Sequence, residues 1–213
     1  MAEKTNCICD LKKIQKYGQK YKLPSVDFIK TKFNSPFKIL VSALLSARTK
    51  DATTEKVCLN LFKKVKKPKD FQRYSLKQIE QFIYPVGFYK TKARHLKKLA
   101  RVLEKDFHGK IPRTLEGLLK LPGVGRKTAN LTLAVGFNQP AVCVDTHVHR
   151  ISNRLGWVKT RTPQETEKAL QKIFPKKYWP QINKTLVVFG QNLCFPVKPA
   201  CLKCPIKRCP SRT

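Results

Sequence analysis

Lys127 stands two residues past the second glycine of Leu121-Pro122-Gly123-Val124-Gly125-Arg126-Lys127-Thr128-Ala129-Asn130, where an apolar helical pattern starts. A lysine in the first turn of a helix, beside Arg126, has two possible chemistries. The positive helix end and the neighbouring cation both disfavour a charged ammonium, and a free amine attacks electrophilic carbon. The plainer reading is a phosphate contact. Asp145, in Val144-Asp145-Thr146-His147, precedes another helical pattern and is placed as its N-cap. The helix end keeps such a carboxylate ionised, so it can stabilise positive charge or accept a proton from an amine. As a plain cap it would do neither.

Cys194, Cys201, Cys204 and Cys209 form a second constellation, C-x6-C-x2-C-x4-C. Four thiolates in so short a span suit a four-cysteine iron–sulfur centre. Four-cysteine zinc sites are the main rival, although these usually carry two C-x2-C knuckles and here there is one. Two disulfides are the remaining alternative. Lys198, Lys203, Lys207, Arg208 and Arg212 sit in or beside these loops, so a metal-stapled loop would hold cations outward. His147 and His149, two residues apart on a helix, face different ways and make no metal pair.

The hairpin that carries Lys127 has its own logic. Gly123 and Gly125 allow unusual backbone angles and close approach, and the amides that follow point outward; together they can cradle a phosphate. The composition agrees. Among 213 residues, 45 Lys+Arg against 13 Asp+Glu give a net charge of +32, a field that attracts polyanions. Nucleic acid is the first candidate; a ribosomal-type protein or a membrane-surface binder is second, and general lysine enrichment accounts for part of the excess. Apolar content of 41% excludes a disordered chain. No run is long and apolar enough to span a membrane, and no signal-peptide pattern opens the chain. The expectation is an intracellular protein, in cytoplasm or nucleoid, in a reducing compartment.

The elements that must position these residues read as all-α, roughly ten helices. Leu11, Ile14 and Tyr17 mark a first helix, followed by a turn at Leu23-Pro24-Ser25. Ser35-Pro36 starts a helix with the stripe Phe37, Leu40, Val41, Leu44 and Leu45. Asp51 caps the next. Ser75-Leu76-Lys77-Gln78 is a capping box. A long amphipathic helix then buries Ala93, Leu96, Ala100, Leu103 and Phe107 and exposes Lys92, Arg94, Lys97, Lys98, Arg101 and Lys105; His108-Gly109 closes it. Thr162-Pro163-Gln164-Glu165 is a second capping box, and a last helix carries Ile182, Leu186, Val187 and Phe189. Ala141-Val142-Cys143-Val144 is the one β-like run.

Four motifs together make the chain resemble the endonuclease III family of DNA glycosylases, in the helix–hairpin–helix glycosylase superfamily. They are Leu44-Leu45-Ser46-Ala47-Arg48-Thr49, the hairpin, Val144-Asp145-Thr146-His147-Val148-x-Arg150 and the four cysteines. The resemblance runs from about Phe37 to Cys209. It implies two helical domains flanking a DNA-binding cleft: residues 29–139 as a helical barrel with the hairpin, and residues 1–28 plus 140–213 around a [4Fe–4S] cluster held by Cys194, Cys201, Cys204 and Cys209. It implies a monomer acting on double-stranded DNA with a damaged base or abasic site, with the lesion nucleotide flipped out. Lys127 would attack the anomeric carbon, expel an oxidised pyrimidine and leave a Schiff base; β-elimination would cut the strand, with Asp145 assisting. Other implied DNA contacts are Arg48, Phe88, Gly123, Val124, Gly125, Arg126, Thr146, His147 and Lys198.

Three departures from the family pattern bear on this. Arg48 stands where many members carry a glutamine that fills the gap left by the flipped base; an arginine can instead read the orphan base. Phe88 stands where a leucine is common, and can intercalate by stacking. The last cysteine gap is x4 where x5 is common. Related monofunctional mismatch glycosylases lack a lysine at the matching position, so Lys127 argues against that alternative. A non-catalytic iron–sulfur DNA-binding protein is the other.

Overall fold

The computed structural model describes residues 2–212, with side chains from residue 6 onward; the domain limits expected at residues 1 and 213 lie outside it. Every regular element among the described residues is helical. The chain separates into two compact units, Ser25–Gln139 and Met1–Pro24 with Pro140–Thr213. The division falls at 24/25 where 28/29 was expected, because a helix bridges the expected limit.

The order begins with α1 (Ala2–Gly18), α2 (Ser25–Lys32), α3 (Pro36–Ser46) and α4 (Asp51–Lys64). A 3-10 segment (Pro68–Arg73), α5 (Leu76–Ile83), α6 (Tyr89–Phe107), α7 (Leu115–Leu119) and α8 (Arg126–Leu131) complete the middle unit, and a π-helical turn (Thr132–Gly136) runs on from α8. Helix α2 replaces the turn expected at Ser25. Its Val26 and Ile29 are buried, and it packs on α3 and α4. Helix α3 is the centre of this unit. Its stripe is wider than the periodicity predicts, since Ile39, Ser42 and Ala43 are buried as well. A helix apolar on nearly every side must be surrounded, and α3 packs against α2, α4, α6, α8 and the π turn.

Caps fix where these helices begin. Ser35 Oγ accepts from Lys38 N, and Ser75 and Gln78 exchange both bonds of a capping box. Helix α4 differs from expectation: Lys50 holds the N-cap position with no side-chain bond, and Asp51 is the first helical residue. At the far end of α6, His108 and Gly109 both take left-handed angles (φ 51 and 74), and Gly109 N bonds Leu103 O at 2.8 Å.

In the other unit, α1 lies against α11 (Trp179–Asn192), and α9 (Thr146–Arg154) packs on α10 (Pro163–Ile173) and α11. Leu11, Ile14, Val148, Ile151, Leu170, Phe174, Ile182, Leu186 and Phe189 form its core. The β-like run Ala141–Val144 is buried but forms no strand. A strand needs a partner for its amides and carbonyls; here Asn183 of α11 donates to Cys143 O at 3.1 Å.

Candidate functional site

The hairpin is built from the inside out. Leu121 and Val124 are 2% and 7% exposed and anchor the turn between α7 and α8. Leu121 N bonds Leu118 O and Val124 N bonds Leu121 O, both at 3.1 Å. Gly123 takes φ +79, and a side chain there would meet the His95 ring, with Nδ1 2.6 Å from the Cβ position. Gly125 is different in kind. Its φ of −91 suits any residue, and nothing in the protein lies within 4 Å of where a Cβ would be. No internal packing therefore accounts for glycine at 125; the open space lies outside. Gly123, Gly125, Arg126 and Lys127 are exposed together on this edge. Val124 is not a surface contact as expected, since its side chain is buried and its amide is given to Leu121.

Asp145 caps α9. Its Oδ1 accepts from His147 N and Val148 N, both at 2.9 Å, which leaves Oδ2 outside the cap. Thr146 beside it is exposed. His147 is half-buried with its ring against Gly190 of α11, where a Cβ would come within 2.3 Å of Nδ1. The same nitrogen lies 3.3 Å from Arg150 Nη2. His149 points elsewhere, to Thr166 Oγ1 at 2.7 Å, as the two-residue spacing requires.

Arg48 and Phe88 are forty positions apart in sequence and meet in space. Both are exposed and both carry left-handed backbone, φ 52 and 57. The Arg48 guanidinium lies 5.7 Å from the centre of the Phe88 ring, within cation–π range. Gly87 permits the approach: a Cβ there would stand 2.4 Å from Arg48 O. Gly87 N donates to Thr49 Oγ1 at 3.1 Å.

The four cysteines follow α11. All four line one small cavity with Leu155, Phe189, Leu193 and Ile206. Two arginines of α9 hold the loop to the helix. Arg150 donates to Cys194 O at 2.8 Å; Arg154 donates to Phe195 O at 2.6 Å and Pro196 O at 2.7 Å, with Cys194 Sγ at 3.6 Å. Ile206 N donates to Cys204 Sγ at 3.4 Å, and Cys209 Sγ lies 3.3 Å from Arg154 O. Burial pushes the Cys204 and Cys209 thiols up, and the neighbouring cysteines add to it. Among the described residues no three His, Cys, Asp or Glu side chains converge as a metal site. Lys198 is exposed, with φ 50.

Residues 41–176 match the model of the HhH-GPD superfamily of base excision DNA repair proteins. The chain is 48% identical over 176 residues to endonuclease III of Thermotoga maritima, covering 83% of each protein. The chain belongs to the endonuclease III family. As a member it is a base-excision-repair DNA glycosylase with AP lyase activity. The fold is similar to that of a trapped endonuclease III–DNA covalent intermediate: TM-score 0.86, 36% identity, 98% of this chain and 96% of that one. A thermostable thymine-DNA glycosylase shares the fold at TM-score 0.84 but only 26% identity, covering 99% and 97%.

For an endonuclease III family member, sequence reasoning passed over two groups of residues. Arg150 and Arg154 carry a weak sequence signal, their spacing of four, which puts both on one face of α9 beneath the cysteine loop. Lys92 is a correction. Placed by periodicity on the exposed face of α6, it is 7% exposed. Its Nζ donates to Leu45 O at 2.8 Å, to Ala47 O, and to Thr49 Oγ1 at 3.4 Å. Burial pushes its ammonium down to about 8.

Proposed function

We propose that the protein removes oxidised pyrimidines from duplex DNA through a covalent lysine intermediate and cuts the strand at the resulting abasic site. Lys127 Nζ attacks C1′ of the flipped nucleotide. The C1′–N bond breaks and the base leaves with its electron pair, taking up a proton. The amine loses a proton as the sugar ring opens, giving a Schiff base. Removal of a C2′ proton then expels the 3′ phosphate by β-elimination, and water releases the lysine. Asp145 offers Oδ2 to the positive charge that grows on the sugar and to the proton that leaves the amine, while Oδ1 keeps the α9 cap. The observation that carries the reading is an exposed lysine on a hairpin whose Gly125 faces open space. Likeness to a trapped endonuclease III–DNA covalent complex supports it.

DNA contact is assigned to the backbone at Gly123 and Gly125, to Arg126, and to Arg48 and Phe88 at the gap left by the flipped base. Thr146 and Lys198 are further contacts on exposed positions, and the half-buried His147 is a further contact beside Arg150. Cys194, Cys201, Cys204 and Cys209 hold a [4Fe–4S] cluster. Four thiols around one small cavity supply the four ligands such a cluster needs, and Ile206 N and Arg154 Nη1, which reach Cys204 Sγ and Cys194 Sγ, suit anionic sulfur. A cluster bound there would tie the terminal loop together at four points and would supply single-electron exchange. Absorbance at about 410 nm distinguishes it from zinc. The enzyme acts as an intracellular monomer. No helix among the described residues is long and apolar enough to cross a membrane.

Borohydride trapping tests the central step. A thymine-glycol duplex gives a covalent adduct with the native protein and none with Lys127→Ala. Base release without any adduct would favour a monofunctional glycosylase.

A further inference from the structure

Lys92 is the least expected charged group in the middle unit. Its side chain reaches back from the first turns of α6 and ends among neutral acceptors: two carbonyls and one hydroxyl in the last turn of α3 and the residues just after it. The cause of its lowered proton affinity is burial alone. A buried ammonium facing neutral acceptors is costly and is kept only where its hydrogen bonds hold something in place. Leu45 O and Ala47 O are carbonyls at the C-terminal end of α3, which a cation caps well. Three donors on one nitrogen let Lys92 bond Leu45, Ala47 and Thr49 together, which no neutral side chain can do.

What those three acceptors surround is Arg48. The residue lies between Ala47 and Thr49 and is held at φ 52, an uncommon angle for arginine. On the other side stands Phe88, also left-handed, at the N-cap of the helix that carries Lys92. Lys92 N donates to Phe88 O at 3.0 Å, so the same residue touches both turns. Thr49 Oγ1 completes the link, accepting from Gly87 N on the Phe88 side and from Lys92 Nζ. Arg48 and Phe88 thus stand on two turns that Lys92 and Thr49 clamp together.

We propose that Lys92 is a positioning residue for lesion recognition: by bonding Leu45, Ala47 and Thr49 it fixes the Arg48 turn against the Phe88 turn, so that both side chains enter the duplex as one preformed unit. This rests on the reading of Arg48 and Phe88 as the residues that enter the duplex. Lys92 does not touch the reacting atoms; it sets the geometry of two residues that would otherwise have to be ordered on binding. Base excision needs the unit because an intact base must be unstacked. Strand cleavage at a preformed abasic site needs it less.

The test is a double-mutant cycle on the full-length protein. Lys92→Met, Arg48→Ala and the double variant are assayed for excision of thymine glycol and, separately, for cleavage of a preformed abasic-site duplex. The ratio of the two rates is read, because loss of folded protein lowers both together. Each single variant is expected to lower the ratio about tenfold, and the double variant no further than about twofold beyond either, since both remove one unit. Should Lys92→Met fold poorly, Thr49→Val removes the bridging hydroxyl while leaving the lysine, and is expected to show the same non-additivity in smaller measure. Losses that multiply in the double variant, or a ratio untouched by Lys92→Met and Thr49→Val while Arg48→Ala lowers it, would overturn the role of Lys92. A ratio unchanged by Arg48→Ala alone would overturn the reading of Arg48 itself.

Discussion

Two glycines two residues apart in the hairpin should respond in opposite ways to the same substitution. Gly123→Ala forces alanine into left-handed backbone, at about 1–2 kcal/mol. The new Cβ also meets His95 Nδ1, Cγ and Cβ at 2.6, 2.8 and 2.9 Å, so the ring must move. Overpacking of this kind costs about 1–3 kcal/mol. Together these lower the midpoint of thermal unfolding by roughly 5–15 °C for a chain of this size. Gly125→Ala meets no atom within 4 Å and keeps an ordinary φ of −91. Alanine is a poorer N-cap than glycine, but the stiffer unfolded chain offsets this by about 0.4–1 kcal/mol. Stability should change by less than about 1 kcal/mol. The Cβ instead occupies the space assigned to a phosphate, and loss of one close contact weakens binding about 5–30-fold, or about 1–2 kcal/mol. Anisotropy on a duplex with an uncleavable abasic analogue reads the affinity, and thermal unfolding reads the fold. No charge is removed, so the salt dependence of binding should be unchanged, whereas Arg126→Ala should reduce its slope by about 0.9. Native affinity in Gly125→Ala would refute the phosphate cradle. A native midpoint in Gly123→Ala would refute the backbone argument.

Asp145→Asn keeps an acceptor for His147 N and Val148 N, and asparagine caps well, so the unfolding midpoint should move by less than about 3 °C while base excision falls at least about 100-fold; full activity would remove Asp145 from the chemistry. Arg154→Met deletes the bonds to Phe195 O and Pro196 O, and should speed loss of the 410 nm chromophore under chelator about 10-fold, second-neighbour partners being worth that much to a metal site; unchanged loss would show that the loop holds without it. Lys92 has a folded-state value of about 8 against an ordinary 10.5. The unfolded chain therefore binds its proton more tightly, and its contribution to stability is fully present above the ordinary value and lost as pH falls through about 8. Denaturant titrations between those pH values should show stability rising with pH relative to Lys92→Met; a parallel pair of curves would contradict the burial of a charged ammonium.

The sequence announces local features and hides those that depend on distant contacts. Ser35, Ser75, Asp145 and Thr162 each sit before an apolar periodic run, and each is an N-cap with the expected side-chain bond. The turn of the hairpin and the clustering of the four cysteines are legible because each is written in nearby residues. Helix α2 was not, since Val26 and Ile29 are too short a stripe to show a period. The extended run Ala141–Val144 has β-type residues but no strand beside it, and its carbonyl finds Asn183 instead. Lys92 shows the limit most clearly. Its place on α6 is next to Ala93, on the margin of the apolar stripe, and whether a margin is covered depends on the turn at residues 45–49. Nothing near Lys92 in sequence tells that this turn lies over it. The Arg48–Phe88 contact is hidden for the same reason.

The central claim is that Lys127 forms a covalent bond to the sugar of a damaged nucleotide. Borohydride trapping on a thymine-glycol duplex, followed by peptide mapping of the adduct, measures that bond directly. The account predicts one adduct, on Lys127, absent in Lys127→Ala while that variant still binds the duplex. An adduct on another residue, or an undiminished adduct in Lys127→Ala, would contradict it.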